Sequence, residues 1–193
     1  YYVAGSEKWE YSDDLAHVAR ERRKIVLSFS NDHYTYDPLT NTQPESVVYT
    51  SEPLADALTI AGDVRLMLWI ASDVRDTDLQ IVLSEIPANG KPIPLAEQQL
   101  RARYRDGLDH EKLLTPGEVT SIEFHGFNWF ARAIAKGSRL RLVITSPNTI
   151  DVEKNYNSGG VVANESGTDA RVAHITIIHD SQHQDFLELP IDH

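Results

Sequence analysis

Val64-Arg65-Leu66-Met67-Leu68-Trp69-Ile70-Ala71-Ser72, then Asp73-Val74-Arg75-Asp76-Thr77-Asp78, then Leu79-Gln80-Ile81-Val82-Leu83, is the most informative run in this chain. In the first segment Val64, Leu66, Leu68 and Ile70 fall on one face of a period-two pleat. Met67, Trp69 and Ala71 make the opposite face apolar as well. A strand apolar on both faces reads as central in its sheet and covered on both sides. The acidic stretch cannot continue a buried strand, so it reads as a tight turn into a second strand from Leu79 to Leu83. Pro87 and the Asn89-Gly90 pair close that strand.

Further segments carry the same signal. Leu100-Arg101-Ala102-Arg103-Tyr104-Arg105 alternates, with Leu100, Ala102 and Tyr104 expected inward and the three arginines outward. Pro116-Gly117 precedes a strand from Val119 to Phe127. Phe127-Asn128-Trp129-Phe130 forms an aromatic knot in which Trp129 is expected to be buried. Gly137 leads into Arg139 to Ile144, Val172 to His179 makes another strand, and Phe186 to Leu189 makes the last, stopped by Pro190. Toward the start, Tyr1 to Ala4 is β-like and Ser12 can cap a helix reaching about Lys24. That helix would carry Asp13 and Asp14 in its first turn and Arg20, Arg22, Arg23 and Lys24 in its last, as the helix dipole favours. Ile25 to Phe29 reads as a strand and Asn31 to Gln43 as a long ordered loop. Many short strands with turn signals between them indicate an all-β chain, a β-sandwich or jelly roll, with one short N-terminal helix. The expected division is a connecting segment over 1–45 and the sandwich over 46–193.

Composition narrows the function. The 193 residues include 41% hydrophobic positions and a formal net charge of -11. An acidic chain is a poor match for nucleic acid or an anionic membrane, both of which attract clustered positive charge. No cysteine is present, which removes disulfides and thiolate chemistry. No apolar run is long enough to span a membrane and no signal peptide is visible, so a cytoplasmic setting is expected. The chain opens on Tyr1 and its one methionine is Met67, so it reads as processed, truncated or lacking its beginning.

Candidate chemistry is sparse. No serine has glycine two before and two after it, so the nucleophile elbow of a hydrolase is missing. A Ser-His-Asp set scattered through the chain is within what composition alone produces. His179 and His183, beside Asp180 and Asp185, have metal-like spacing but lie past a strand end, where a solvated loop is the plainer reading. His174 reads as a hydrogen-bonded strand residue. Asp73, Asp76 and Asp78 with Thr77 offer oxygen ligands for calcium but lack the glycine and distal glutamate of a helix-loop-helix site. The plainer reading is a turn whose carboxylates accept backbone N–H groups. Arg101, Arg103 and Arg105 read as a solvated row or an interface stripe paired to acids. Asn164-Glu165-Ser166 fits a glycosylation acceptor without a secretion signal to support it. No cofactor and no metal site is expected.

Several segments in order resemble one family. They are Gly5 to Trp9 (GSEKW), Tyr34 to Pro38 (YTYDP), Tyr49 to Leu54 (YTSEPL), Asp76 to Leu79 (DTDL) and Leu100 to Arg105 (LRARYR). Lys136 to Leu142 (KGSRLRL), Asn155 to Gly159 (NYNSG) and Leu187 to Pro190 complete the set. Together they are similar to the C-terminal domain of the cocaine esterase / X-prolyl dipeptidyl-peptidase (CocE/NonD) family of α/β-hydrolases. The resemblance implies a galactose-binding-like jelly roll packed on an upstream α/β-hydrolase catalytic domain, which holds the catalytic serine, aspartate and histidine. No catalytic residue therefore transfers to this chain. It implies a non-catalytic domain of an acyl esterase or X-Pro dipeptidyl-peptidase, supporting the substrate pocket and the domain packing. Asp73, Asp76, Thr77, Asp78 and Trp9 are the candidate pocket or interface residues. The alternatives are a carbohydrate-binding jelly-roll module, with exposed Trp9 or Trp129 as a stacking platform, and a homo-oligomerising interaction domain.

Overall fold

The computed structural model describes residues 21–28, 30–40, 44–149 and 151–192. The β-like start at Tyr1 to Ala4, Trp9 and the Ser12 cap lie outside the described residues. Twelve strands follow: β1 Glu21–Val26, β2 Asp32–Tyr36, β3 Val47–Thr50, β4 Leu58–Gly62, β5 Arg65–Ser72 and β6 Asp78–Ile86. The rest are β7 Ile93–Arg101, β8 Thr120–Phe124, β9 Phe130–Ile134, β10 Arg139–Thr145, β11 Ala173–Ile177 and β12 Phe186–Asp192.

Every strand pair is antiparallel. The second sheet has the order β3-β10-β6-β7, and the first has eight strands. Within the first, β2-β11-β5-β8 forms the counterpart of the second sheet. The chain switches sheet from β2 to β3, β3 to β4, β5 to β6, β7 to β8, β9 to β10 and β10 to β11. That repeated crossing is the jelly-roll path. Strands β12, β4 and β9 extend the first sheet, and β1 pairs with β12.

Strand β5 is central, as its sequence indicates. β8 covers one edge along its length, while β11 and β12 share the other. Leu66, Leu68 and Ile70 point into the core between the sheets with Ile122, Phe124, Leu79, Ile81 and Leu83. The opposite face is only half covered by the described residues: Met67, Trp69 and Ala71 are intermediate in exposure. The segment after the acidic turn does not pair with β5. β6 lies between β10 and β7 in the other sheet, so the two strands face each other across the core. Packed sheets stand about 10 Å apart, which the Asp73–Thr77 link spans.

Three further expectations are corrected. Arg22, Arg23 and Lys24 are not the last turn of a helix but lie in β1, registered on Pro190, Leu189 and Glu188 of β12. Arg22 bonds Glu188 and Asp63, so the charges that suited a helix end serve cross-strand pairs. Pro190 does not stop the last strand. It falls between the Glu188↔Arg65 pair with β5 and the Ile191↔Ile60 pair with β4, where that edge has no registered partner for its missing N–H. Trp129 is 63% exposed, whereas Phe127 is buried. The stretch between β8 and β9 is unpaired loop, and it turns one ring in and the other out.

Truncating Leu68, which is fully buried, to alanine is expected to cost about 2–5 kcal/mol. Trp129→Ala is expected to stay within about 0.5 kcal/mol of wild type. Chemical denaturation of both variants checks the assignment of inner and outer positions.

Candidate functional site

The link between the sheets is held by a clasp of two carboxylates, two guanidinium groups and one amide. Asp78 opens β6 and is registered opposite Arg101, the last residue of β7. After Arg101 the backbone leaves the strand for a single 3-10 turn, Ala102–Tyr104, anchored by the Ala102 N–H on the Thr77 carbonyl. A strand would send Arg103 outward. The turn breaks the alternation and sends it inward, so the expected outward row of three arginines does not form.

Arg103 and Asp76 are the deepest members, with side chains 2% and 0% exposed. Asp76 Oδ1 accepts the Arg103 backbone N–H at 3.0 Å, and Oδ2 accepts Arg103 Nε at 2.7 Å. Asp78 takes Arg101 through both oxygens, Nε at 2.9 Å and Nη2 at 3.1 Å. Asn155 joins the two acids, its Nδ2 donating to Asp76 Oδ2 and to Asp78 Oδ1 at 2.8 Å each. Glu111 and Glu153 meet the outer guanidinium nitrogens of Arg103 and Arg101 at the rim. Burial pulls Arg101 down, but the bonds and charge of Asp78 override it and hold it above its ordinary value. Burial pushes the Asp76 carboxyl up, against the pull of Arg103 and Asn155.

The clasp also fixes the loops around it. The Arg75 carbonyl accepts the Leu114 N–H, the Ser72 carbonyl accepts the Gly117 N–H, and the Arg103 carbonyl accepts the Lys112 N–H. Asn157, at φ 62, donates its N–H to Asn155 Oδ1. At Gly159, φ 78, a Cβ would stand 2.8 Å from the Arg75 Cβ, so only glycine fits against the link. Lys154 reaches the Pro38 carbonyl. Loops 37–40, 73–77, 102–119, 146–149 and 151–172 thus form one connected end of the sandwich.

The candidate residues separate. Asp76 and Asp78 meet in the clasp. Thr77 is buried between them with Oγ1 unpaired. Asp73 turns away to the surface, where it accepts the His174 backbone N–H at 2.8 Å and faces His174 Nδ1 at 2.6 Å. The carboxylates at Asp76 and Asp78 bind arginine and asparagine rather than the turn's own N–H groups. Those donors leave no open set of oxygens for calcium, and among the described residues no group of three His, Cys, Asp or Glu side chains could hold a metal. Sequence reasoning missed the inward Arg103 and the bridging role of Asn155. It also placed His179 in a solvated loop, whereas His179 is buried against Tyr49 and Asp185. Its Nε2 faces a tyrosine hydroxyl rather than a serine.

A family model described as the X-Pro dipeptidyl-peptidase C-terminal non-catalytic domain matches residues 7–188. The chain belongs to this family. Cocaine esterase from Rhodococcus sp. (strain MB1 Bresler) is 28% identical over 143 residues, which is 74% of this chain and 25% of that protein. The chain therefore spans about a quarter of the length of this curated relative. Among solved structures, an aminopeptidase from a marine sediment Thaumarchaeota archaeon superposes with TM-score 0.84 at 16% identity, covering 100% of this chain and 40% of that one. An α-amino acid ester hydrolase gives TM-score 0.78 at 17% identity over 84% of this chain and 33% of its own. A CocE/NonD family hydrolase from Staphylococcus aureus gives 0.68 at 17% identity, over 89% of this chain and 37% of its own. These likenesses establish the shared fold: the chain is the non-catalytic C-terminal domain type of the CocE/NonD hydrolases.

Asp76→Ala strands the buried Arg103 charge and is expected to cost about 3–5 kcal/mol. Asp78→Ala is expected to cost less, because Arg101 keeps Glu153 and more water. Asn at either position keeps an acceptor and falls between alanine and wild type. The order of the melting temperatures, with Asp76→Ala lowest, checks the clasp.

Proposed function

We propose that this chain is the C-terminal domain of a longer serine hydrolase, of acyl esterase or X-Pro dipeptidyl-peptidase type. In this reading its clasped loop end borders the substrate pocket of a linked α/β-hydrolase domain. The observation that carries it is the clasp itself. Buried charge of this kind is a costly way to gain stability but a good way to hold several loops in one arrangement. Loops fixed at one end of a rigid scaffold are where binding surfaces form. Leu39, Leu108 and Val161 are exposed apolar residues on those same loops, which suits contact with a covering domain. The family supports the reading, since its members supply a non-catalytic domain to a larger hydrolase.

In that parent the reaction runs through an acyl-enzyme on a serine of the linked domain, released by water. This domain contributes shape and packing to the pocket and no nucleophile. The exposed Trp129 is the one observation favouring a sugar-binding module. It stands without a second comparably exposed Trp or Phe among the described residues, which makes a poor stacking platform. Titration with glycans, followed by tryptophan fluorescence, separates that reading from the first.

The 193-residue chain alone is expected to turn over no chromogenic ester and to take up no fluorophosphonate label. In the longer parent, Asp78→Ala is expected to raise KM for a bulky ester more than for a small one, at a temperature where both forms stay folded. Activity of the isolated chain that survives repurification would refute the non-catalytic assignment. Unchanged parental kinetics would place the clasped end away from the pocket.

A further inference from the structure

A second buried polar group lies in the first sheet, at the point where β11 and β12 exchange places along the edge of β5. β11 leaves after the Ile177↔Ile70 pair, and β12 joins at Phe186↔Met67. Trp69 falls near that break. Its carbonyl accepts the Ile178 N–H, and its own N–H donates to Asp185 Oδ1 at 2.6 Å. The Asp185 carboxyl therefore stands in for a missing strand. Its other oxygen, Oδ2, lies 3.2 Å from His179 Nδ1, with side chains 0% and 2% exposed, and neither atom makes a hydrogen bond.

The far side of the imidazole fixes what Nδ1 must be. Tyr49 Oη sits 2.9 Å from His179 Nε2 and 3.0 Å from Asp32 Oδ2. The half-exposed Asp32 carboxylate can only accept, so the single tyrosine proton goes to it. Nε2 then has to donate its own proton to Tyr49. In a neutral imidazole that leaves a lone pair at Nδ1, 3.2 Å from a carboxylate oxygen. Two buried acceptors in contact repel, and one proton between them removes the conflict.

We propose that His179 and Asp185 hold one proton more than a neutral imidazole and a carboxylate would, and that this proton sets the tyrosine hydroxyl joining the two sheets. Through Tyr49 on β3 of the second sheet and Asp32 on β2 of the first, the pair takes part in an inter-sheet tie. When the proton leaves to solvent, the remaining imidazole proton moves to Nδ1 against the Asp185 carboxylate. Nε2 becomes an acceptor, the Tyr49 hydroxyl turns to it, and Asp32 loses its donor. A cavity of about 230 Å³, walled in part by Val26, Ser28, Ser181 and Gln184, gives the pair an outlet. The other ionisable groups facing it are Asp32, Tyr49, Asp180 and His183. The last two are bonded to each other at 2.9 Å, while among the described residues β1 and the stretch just after it contribute Val26 and Ser28 to the wall.

The electrostatics agree with the geometry. Burial raises the Asp185 carboxyl to about 7, against the pull of the Trp69 N–H. Burial also lowers His179 below its ordinary value, with Asp32 opposing. The proton therefore rests on the Asp185 side. In the unfolded chain the two groups titrate at their ordinary values of 3.8 and 6.5. Below 6.5 the unfolded imidazole and the folded Asp185 carboxyl each hold one such proton. Above 6.5 only the folded pair keeps it, so the contribution falls as pH rises through about 7 and levels off beyond.

Asp185→Asn in the 193-residue chain tests the proposal, because the amide mimics the protonated acid. Its oxygen keeps the Trp69 N–H, and its NH2 donates permanently to Nδ1. Wild type is expected to lose about twofold in its folding equilibrium between pH 6.5 and 8 through this pair. The Asp185→Asn variant is expected to lack that step and to melt no lower than wild type at pH 8. Ring nitrogen NMR of wild type at pH 6 is expected to show Nε2 protonated. Nitrogen shifts showing Nε2 bare and Nδ1 protonated at that pH would overturn the proposal, whether or not the variant folds. So would a melting temperature raised by stoichiometric zinc and reversed by chelator, which would put a metal ion in the gap instead.

Discussion

A guanidinium buried against the Asp76 carboxylate is the constraint on which the loop end of this sandwich rests. Arg103 is too polar to be buried for its own sake, and its burial is tolerated because Asp76 answers it through two oxygens. That pairing requires Arg103 to point inward, which requires the backbone to leave the strand register just after Arg101. The 3-10 turn at Ala102–Tyr104 follows from it, as does the path of the chain toward β8. Asn155 then locks a loop more than 70 residues away onto the same acids. A set of contacts distant in sequence thereby becomes one rigid surface.

Much of the sandwich was legible from hydrophobic alternation. β5, β6 and β10 read correctly because a buried strand face leaves a period-two mark that no loop imitates. What alternation cannot show is which sheet a strand joins. The pattern running from Val64 to Leu83 fits a hairpin and a crossing equally, since both bury the same side chains. The N-terminal helix failed at Arg22 to Lys24 for a related reason: cations suit a helix end, but they suit cross-strand carboxylates as well.

The candidate site was half legible. Asp76 and Asp78 drew notice as carboxylates packed too densely for a buried strand. Their partners did not, because Arg101 and Arg103 share one alternating run and only a break in backbone geometry separates their roles. His179 carried no signal of burial. Its neighbours Asp32, Tyr49 and Asp185 are assembled by strand order rather than by spacing. The order of short family segments compensated, since it points to the fold even where local chemistry is silent.

The divided edge of β5 bears on how the molecule is made. Trp69 waits for a carboxylate 116 positions further along the chain, and its strand waits for two late partners rather than one. Little of that edge can close while the middle of the chain is leaving the ribosome. Non-local pairing of this kind makes for a slow folder whose central strand is exposed longest. During that interval the apolar outer face at Met67 and Trp69, and the open edge beside it, stay available to any neighbouring nascent chain.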